Sequence, residues 1–284
     1  MRDDFAMLII SHGRADDVAT VPALEAAGYT GKWYIIVDDE DDQYEKYIEN
    51  YGEAHIIQFC KIDAMRNTRD AMDNFEVHGV PVYARNMLHS IAKDLGLTYF
   101  MEIEDDMVDF RYRYEDGDAL RSVKLTKLDA IVDVFLEFLD VSGAITVAFS
   151  EAGDLLGGKE RIFWKSQLNR KAMMCYFMRT DRPFQFTGTF NDDVNMYVQL
   201  GKVGNLIFTV APIMVIPKLT QQNSGGITDA YNKYGTYVKS FYSVMLCPDC
   251  VYVKEMPTRY WRIHHAISWK NAIPKIVSSR FRKE

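Results

Sequence analysis

The chain has 284 residues, of which 48% are hydrophobic and 26% are charged, and its formal net charge is −7. Its apolar runs fall short of the roughly 20 residues that span a bilayer, its start lacks the features of a signal peptide, and two of its four cysteines are isolated. These features exclude a membrane-spanning protein and a disulfide framework. We expect a cytoplasmic protein with one large domain, or one and a half, and no membrane partner.

The first part of the chain alternates short apolar runs with helical patterns. Apolar runs predict strands at 5–10, 33–37, 55–59 and 99–103, and helical spacing predicts helices at 16–27, 43–51 and 82–95. A polar loop is expected at 61–74. Strands of about five residues alternating with helices of about twelve predict an α/β domain. Its sheet is expected to be Rossmann-type, mixed and mainly parallel, with helices on its faces.

The second part continues less regularly. Helices are predicted at 125–139, 194–200 and 231–246, and strands at 145–149, 173–178 and 206–216, the last broken by Pro212. A glycine-rich loop is expected at 151–158, and the polar segment 220–231 is expected to form a lid. We predict one domain over 1–246, made of two halves at 1–110 and 111–246, and a basic segment at 247–284 that packs on it.

Polar side chains follow three of the predicted strands where each strand ends. Ligands of such sheets bind beyond the carboxyl ends of the strands, so these side chains are candidates for one site. After the first strand come Ser11, His12 and Arg14, after the second Asp38 and Asp39, and after the fourth Glu104, Asp105 and Asp106.

The three adjacent carboxylates at 104–106 are the strongest local signal. Like charges repel, and carboxylates on one short turn bind a hard divalent cation through oxygen. Mg²⁺ or Mn²⁺ usually completes its coordination with water and substrate phosphates. A site with few protein ligands therefore indicates that a nucleotide supplies the others. The alternative is a solvated turn after a strand.

Residues 82–107, VYARNMLHSIAKDLGLTYFMEIEDDM, resemble the donor-binding segment of glycosyltransferases with the GT-A fold. Those enzymes often carry Ala-Arg-Asn at a helix start and an Asp-x-Asp motif after the following strand. Here the motif is Glu104-Asp105-Asp106, with Glu in place of the first Asp. Residues 187–193, TGTFNDD, are similar to the second acidic motif of that fold.

The resemblance implies a catalytic domain with a nucleotide-sugar-binding half at 1–110 and an acceptor half at 111–246. It also implies a role for each acidic residue. Asp106 would bind the metal that holds the diphosphate, and Glu104 would contact ribose or metal. Asp193 would be the catalytic carboxylate beside the acceptor hydroxyl, with Asp192 next to it. A carboxylate within hydrogen-bond reach can take that hydroxyl's proton if the reaction inverts.

The same resemblance implies a nucleotide site, since a leaving diphosphate needs neutralisation by a cation or by arginine. Arg14, Arg85 and Arg66 are the candidates for phosphate contact, with surface ion pairs as the alternative for each. Asp38 or Asp39 would accept a hydrogen bond from the uracil of a UDP-sugar such as UDP-glucose. The remaining nucleotide-binding candidates are Ser11, His12, Glu104 and Asp105.

Histidines near the C-terminus often complete the metal site of GT-A enzymes. The candidates here are His264 and His265, and imidazole is a suitable ligand for Mn²⁺. A packed or surface histidine is the alternative. Cys247 and Cys250 form a C-x-x-C that could be half of a zinc site with these histidines, or two reduced thiols at a turn.

Two basic stretches interrupt the acidic chain. Residues 159–182 hold seven basic residues against two acidic ones, a net charge of +5, and residues 254–284 hold eight against two, a net charge of +6. Such stretches are typical of a face that binds a polyanion, although solvated basic segments are also common.

Together with the GT-A features, the segment SHGRAD, the segment QQNSGG and the basic C-terminus resemble the phage TET-associated glycosyltransferases. This narrower resemblance implies transfer of a sugar to hydroxymethylated pyrimidines in DNA, in the host cytoplasm if the protein is phage-encoded. The target base would flip out of the stack. Phe163, Trp164, Tyr260 and Trp261 could then stack on bases, or could be core aromatics instead.

Other functions stay open at this point. A glycosyltransferase with a protein, lipid or saccharide acceptor would use the same donor residues. A module that binds a nucleotide sugar or nucleic acid without turnover also stays open, because Glu replaces Asp at the first motif position. A nucleotidyltransferase uses similar carboxylates but releases pyrophosphate.

Overall fold

The computed structural model describes residues 1–69, 79–151, 158–218, 236–256 and 262–274. The strands are β1 Phe5–Ile10, β2 Lys32–Asp38, β3 Ile56–Phe59, β4 Tyr99–Glu104, β5 Met107–Asp116, β6 Ala119–Lys124, β7 Thr146–Glu151, β8 Leu168–Asn169, β9 Tyr176–Arg179, β10 Ile207–Pro217, β11 Val251–Met256 and β12 Arg262–Ile267. The α-helices are α1 Thr20–Ala26, α2 Tyr44–Tyr51, α3 Lys61–Asn67, α4 Pro81–Asp94, α5 Leu128–Ser142, α6 Ile162–Lys165, α7 Asp192–Lys202 and α8 Thr236–Leu246.

One large sheet forms the centre of the molecule. Its strand order is β3-β2-β1-β4-β9-β7-β10-β5-β6, and the short β8 also pairs with β10. The strands β1 to β4 pair in parallel, as do β7 and β10, whereas β9 is antiparallel to both of its neighbours and β5 is antiparallel to β10 and β6. The prediction of a mixed, mainly parallel sheet flanked by helices is therefore confirmed.

The sheet is covered on both faces, and β1 shows why. All six residues of β1 are buried, which is typical of a strand with helices on either side. Ala6, Leu8 and Ile10 pack in one core with α4, α7 and α8. The alternate residues of β1 pack in a second core with α1, α2 and α5. This two-sided packing leaves the carboxyl ends of β1, β2 and β4 together at one edge.

The predicted loop at 61–74 is wrong over its first half, which is α3. Lys61 and Ala64, three residues apart, are the buried residues of this helix. One buried side chain per turn is too weak an apolar pattern to predict a helix. Residues 70–78 lie outside the described residues. The hairpin of β5 and β6, which carries four arginines and lysines among polar residues, was not assigned from the sequence either.

Strand β10 connects the two halves of the sheet. It pairs in parallel with β7, from Ile207 opposite Thr146 to Val215 opposite Glu151. It pairs antiparallel with β5 at residues 213–217. The register with β7 shifts between Val210 and Met214, and Pro212, which has no N–H to donate, lies in this shift. The strand therefore continues through Pro212 as an irregularity, instead of ending there.

Beyond β10, α8 packs on an antiparallel hairpin of β11 and β12, in which Val253 pairs with His265 and Lys254 with His264. The predicted lid at 220–231 and most of the glycine-rich loop at 151–158 lie outside the described residues. The division of the chain at residue 246 stays a prediction. No helix of the described ranges is long and apolar enough to cross a membrane.

Candidate active site

A cavity of about 380 Å³ opens at the carboxyl ends of β1, β2 and β4. This volume is in the range of small-molecule sites, and the position is the expected one for an α/β sheet. The polar residues that line it come from both halves of the chain: Ser11, His12, Arg14, Asp38, Lys61, Arg85, Glu104, Asp105, Glu151, Asn191, Asp192, Asp193 and Lys239.

One wall of the cavity is an ion network around Asp38, the last residue of β2. His12 Nδ1 lies 2.7 Å from Asp38 Oδ2, and Lys61 Nζ donates to Asp38 Oδ1 at 3.1 Å. The hydrogen bond to Asp38 raises the pKa of His12, although burial opposes it. Burial would raise the pKa of Asp38, but His12 and Lys61 outweigh it and lower the pKa. The network thus favours the protonated form of the imidazole beside an ionised carboxylate.

Asp39, the neighbouring candidate for the uracil contact, points elsewhere. Its carboxylate accepts the backbone N–H of Lys61 at 2.8 Å, its side chain is exposed, and it is not one of the described residues that line the cavity. Asp38 is buried and lines the cavity. The structure therefore brings only the first of these two aspartates to the site.

Asp105 joins the ends of β1 and β4. Its Oδ2 accepts the Ser11 hydroxyl at 2.5 Å, and its Oδ1 accepts Arg14 Nη1 at 2.7 Å. Tyr47, from α2, lies 2.8 Å from Ser11 Oγ and accepts the backbone N–H of Arg14 at 2.9 Å. Both oxygens of Asp105 are therefore used to hold the loop after β1 in place.

Arg85 links the two acidic motifs. Its guanidinium donates to Glu102 Oε1 at 2.8 Å, to Glu104 Oε1 at 2.6 Å and to Asp192 Oδ2 at 2.7 Å. The side chain is 3% exposed, and such a buried cation is held by its paired carboxylates. Arg85 thus connects the end of β4 with the start of α7, and its predicted contact with phosphate stays a prediction.

Asp192 and Asp193 occupy the first turn of α7, where carboxylates interact favourably with the helix dipole. Asp192 is held by Arg85, whereas Asp193 faces the cavity near Lys239. Burial and the charge of Asp192 raise the pKa of Asp193, against the charges of Lys239 and Arg85. A raised pKa makes a carboxylate a better proton acceptor, so Asp193 suits the role of a general base.

The acidic turn after β4 fits a divalent cation in part. Burial and repulsion from Asp105 raise the pKa of Asp106, and burial raises the pKa of Glu104 against the charge of Arg85. A cation would relieve this crowding, and the ligands offered are the oxygens that Mg²⁺ and Mn²⁺ prefer. Because both oxygens of Asp105 already accept hydrogen bonds, the turn offers few free ligands. It therefore suits a metal that is also coordinated by the phosphates of a bound ligand.

Asp106 lies at the start of the hairpin of β5 and β6, where its carbonyl accepts the backbone N–H of Lys218 at 2.9 Å. It is not among the described residues that line the cavity, whereas Glu104 is. In the described part of the chain, no three His, Cys, Asp or Glu side chains form a metal cage. The metal roles of Asp106 and Glu104 therefore stay predictions.

His265 reaches the acidic loop from β12. Its Nδ1 lies 3.4 Å from Asn191 Nδ2, and its ring contacts that of His264 at a centroid distance of 4.3 Å. Burial and the charges of His264, Lys239 and Lys171 lower the pKa of His265 to about 3, so the imidazole is neutral. Its role as a metal ligand stays a prediction, as does that of His264. Cys247 and Cys250 are buried, and no described histidine completes a zinc site with them.

The two basic stretches meet in the fold. Arg170, from the first, lies 4.9 Å from the ring centroid of Trp269, from the second, and donates to the carbonyls of Trp269 and Ala272 at 3.4 Å. Trp164 is 4% exposed and donates to Glu115, so of its two interpretations, base stacking and core aromatic, the structure supports the core aromatic. Phe163 is half-buried. Tyr260 and Trp261 lie outside the described residues.

Four site residues were missed from the sequence. Glu102 is a carboxylate in a buried strand, two residues before Glu104 and hence on the same face, which is a signal that alternation offers. Lys61 lies two residues after the end of β3, at the same sheet edge as the candidates predicted from the sequence. Asn191 lies within the segment TGTFNDD, directly before the two aspartates. Lys239 has no local signal, because only the packing of α8 brings it to the cavity.

Solved structures with a similar arrangement share little sequence with this chain. A glucosyl-3-phosphoglycerate synthase from Mycobacterium tuberculosis, in complex with Mg²⁺ and uridine diphosphate, is 9% identical, with 93% of this chain and 88% of that chain covered and a TM-score of 0.49. A mannosyl-3-phosphoglycerate synthase from Rubrobacter xylanophilus is 12% identical, with 93% and 86% covered and a TM-score of 0.44. S. aureus TarS, residues 1–349, is 11% identical, with 74% and 60% covered and a TM-score of 0.43.

No curated protein sequence matches the chain. The sequence model of one family does, and it is described as TET-associated glycosyltransferase. The match extends over residues 5–226, which include both acidic motifs and every strand of the large sheet. It confirms the resemblance to this family that the sequence motifs indicated. It also confirms the predicted enzyme class, a glycosyltransferase with a nucleotide-sugar donor. The chain belongs to the TET-associated glycosyltransferase family.

Proposed function

We propose that this enzyme transfers a sugar from a UDP-sugar to a hydroxymethylated pyrimidine in DNA, with the help of a divalent cation. The observation that carries the proposal is the single cavity that joins the strand-end residues at one end to Asp193 at the other. A shared cavity lets the donor and the acceptor bind next to each other, as they must for the acceptor hydroxyl to attack the sugar.

The donor would bind over the ends of β1, β2 and β4. Asp38, buried and ionised, would accept the N–H of a uracil ring, and His12 and Arg14 would face the diphosphate as cations. Glu104 and Asp106 would hold the cation against the same diphosphate. When bound, the cation would neutralise the leaving diphosphate as a Lewis acid.

The acceptor hydroxyl would approach Asp193. This carboxylate lines the cavity, its pKa is raised by burial, and it follows Asp192, which Arg85 holds. Asp193 would take the hydroxyl's proton as the new glycosidic bond forms and the bond from the sugar to the diphosphate breaks. Lys239, on the same side of the cavity, would stabilise the ionised form of Asp193 before the transfer.

Support for DNA as the acceptor comes from the family and from charge. The described parts of the two basic stretches are in contact through Arg170 and Trp269. Lysines and arginines grouped in this way favour the phosphate backbone of nucleic acid.

The first test is thermal melting with a panel of nucleotides. We expect UDP with Mn²⁺ to raise the melting temperature, because a ligand at about 100 times its Kd adds about 2.7 kcal/mol to the free energy of unfolding. Chelation of the metal is expected to remove most of this shift. ADP, CDP and GDP are expected to give smaller shifts, since Asp38 accepts from the N–H of uracil.

Asp106→Asn is the control for the metal. This variant keeps the shape of the side chain and removes its charge, so the shift with UDP should become independent of Mn²⁺. A variant that keeps the full metal-dependent shift would exclude Asp106 as a ligand. Asp109→Asn, three residues along and paired with Arg111, is the matched carboxylate change, and we expect it to leave the shift unaltered.

The acceptor is tested with matched duplex oligonucleotides. With UDP-glucose and related donors, we expect a duplex that contains hydroxymethylcytosine or hydroxymethyluracil to gain one hexose mass per modified base. The same duplex without hydroxymethyl groups should gain none, and binding of both should weaken as salt rises. If the enzyme hydrolyses the donor but never modifies either duplex, a different acceptor is indicated and the DNA assignment fails.

A further inference from the structure

Asn191, the residue before the acidic pair, has an unusual backbone. Its φ is 51° and its ψ is 40°, the left-handed region that few side chains tolerate, and asparagine is one of those that do. The side chain is 4% exposed. A glycine would adopt this backbone with less strain, so the side chain of Asn191 has a use at this position.

That use is not the one expected at a helix start. An asparagine before a helix usually accepts an N–H of the first turn through its side-chain oxygen. Asn191 makes no such bond, and Oδ1 has no hydrogen-bond partner among the described residues. The amide instead points its Nδ2 at α8, donating to the carbonyl of Lys239 at 2.7 Å and to Ser243 Oγ at 3.0 Å. One side chain therefore bridges successive turns of another helix.

The rest of the acidic loop is docked on the same helix. The backbone N–H of Thr189 donates to the hydroxyl of Tyr242 at 3.0 Å. Gly188, with φ +87°, lies so close that a Cβ there would be 2.4 Å from the ring of Tyr242. Contacts to Lys239, Tyr242 and Ser243, on two adjacent turns of α8, thus fix the loop that carries Asp193.

We propose that Asn191 is a positioning residue for Asp193, and that through it α8, which lies beyond the residues shared with the family, is an integral part of the active site. The inference rests on the proposed function in one respect, since it takes Asp193 as the base. Its physical content is that an amide bridge to α8 sets where the Asp193 carboxylate lies. Small misplacements of a catalytic group cost rate more than binding.

The test uses Asn191→Gly, which removes the amide and keeps the left-handed backbone. We expect kcat for sugar transfer, or for donor hydrolysis, to fall about 10- to 100-fold while KM for the donor stays within about twofold. The melting temperature should fall by only a few degrees. Amide hydrogen exchange, which needs no substrate, should become faster at residues 187–191.

A pair of serines on α8 supplies the matched control. Ser243, fully buried, accepts from Asn191, whereas Ser240, 2% exposed and one turn earlier, donates to the carbonyl of Ile263 on β12. Ser243→Ala should reproduce a smaller part of the Asn191→Gly loss in kcat and should not add to it in the double variant. Ser240→Ala removes a bond of the same helix that does not reach the acidic loop, and kcat should not change.

Either of two results would overturn the inference. One is an Asn191→Gly enzyme with the wild-type kcat and the wild-type exchange of residues 187–191. The other is an equal loss of kcat in Ser240→Ala and Ser243→Ala, which would mean that α8 contributes stability alone. Failure of the proposed function looks different, because Asp193→Asn would then keep its turnover whatever Asn191→Gly does.

Discussion

Asp193→Asn is expected to abolish sugar transfer and to leave nucleotide binding unchanged. The amide occupies the same volume in the first turn of α7 but cannot take a proton from an acceptor hydroxyl. Loss of a general base typically costs 10²- to 10⁴-fold in rate, so we expect kcat to fall by about that factor. The rate of transfer and the melting shift with UDP and Mn²⁺ together test this expectation.

The control for this variant is Asp249→Asn. Asp249 is exposed, pairs with Lys202 at the end of α7 and does not line the cavity. The substitution therefore removes one negative charge near α7 and leaves the cavity unchanged. Its kcat should equal that of the wild type. Full turnover by Asp193→Asn would rule out Asp193 as the base, and no turnover by the wild type with any acceptor would favour a binding module.

The second large effect is expected from Arg85→Met. Methionine has a similar length but no charge, so Glu102, Glu104 and Asp192 would lose the cation that holds them. Breaking a buried ion pair by removing one partner typically costs about 3–5 kcal/mol, because the remaining charges are buried without compensation. We expect the free energy of unfolding, measured by urea denaturation, to fall by about that amount.

Arg121→Met serves as the comparison for a surface pair. Arg121 contacts Asp116 at 2.6 Å on the hairpin of β5 and β6, and both side chains are more than half exposed. Surface ion pairs contribute about 1 kcal/mol or less, so this variant should unfold at nearly the wild-type urea concentration. Equal effects of the two substitutions would show that the carboxylates around Arg85 do not depend on it.

The strand-end residues could be predicted because two independent patterns coincide. The buried run at 99–103 predicts a strand, and the acids that follow it must then lie at the carboxyl edge with those after β1 and β2. The helix α3 could not be predicted in the same way, since only Lys61 and Ala64 face inward. The hairpin of β5 and β6 is stabilised by pairing with β10, about a hundred residues later, which no local window contains.

The connection between the acidic motifs was also beyond local reasoning. Arg85 and Asp192 are 107 positions apart, and only the tertiary fold brings Arg85 Nη1 within 2.7 Å of Asp192 Oδ2. Asn191 lies within the segment TGTFNDD, but the two groups that accept its hydrogen bonds, the Lys239 carbonyl and Ser243 Oγ, are on α8. Motifs locate reacting groups, whereas the groups that orient them are set by tertiary contacts.

The position of β10 between β7 and β5 has a consequence for synthesis on the ribosome. Strands β7 and β5 are both complete long before β10, and each is paired with it in the finished sheet. At about 5–20 residues per second, the edges of these strands wait for several seconds without a partner. Unpaired edges promote aggregation, so the nascent chain is most exposed to chaperones and to misassembly in this interval, and fragments that end before residue 207 retain that exposure permanently.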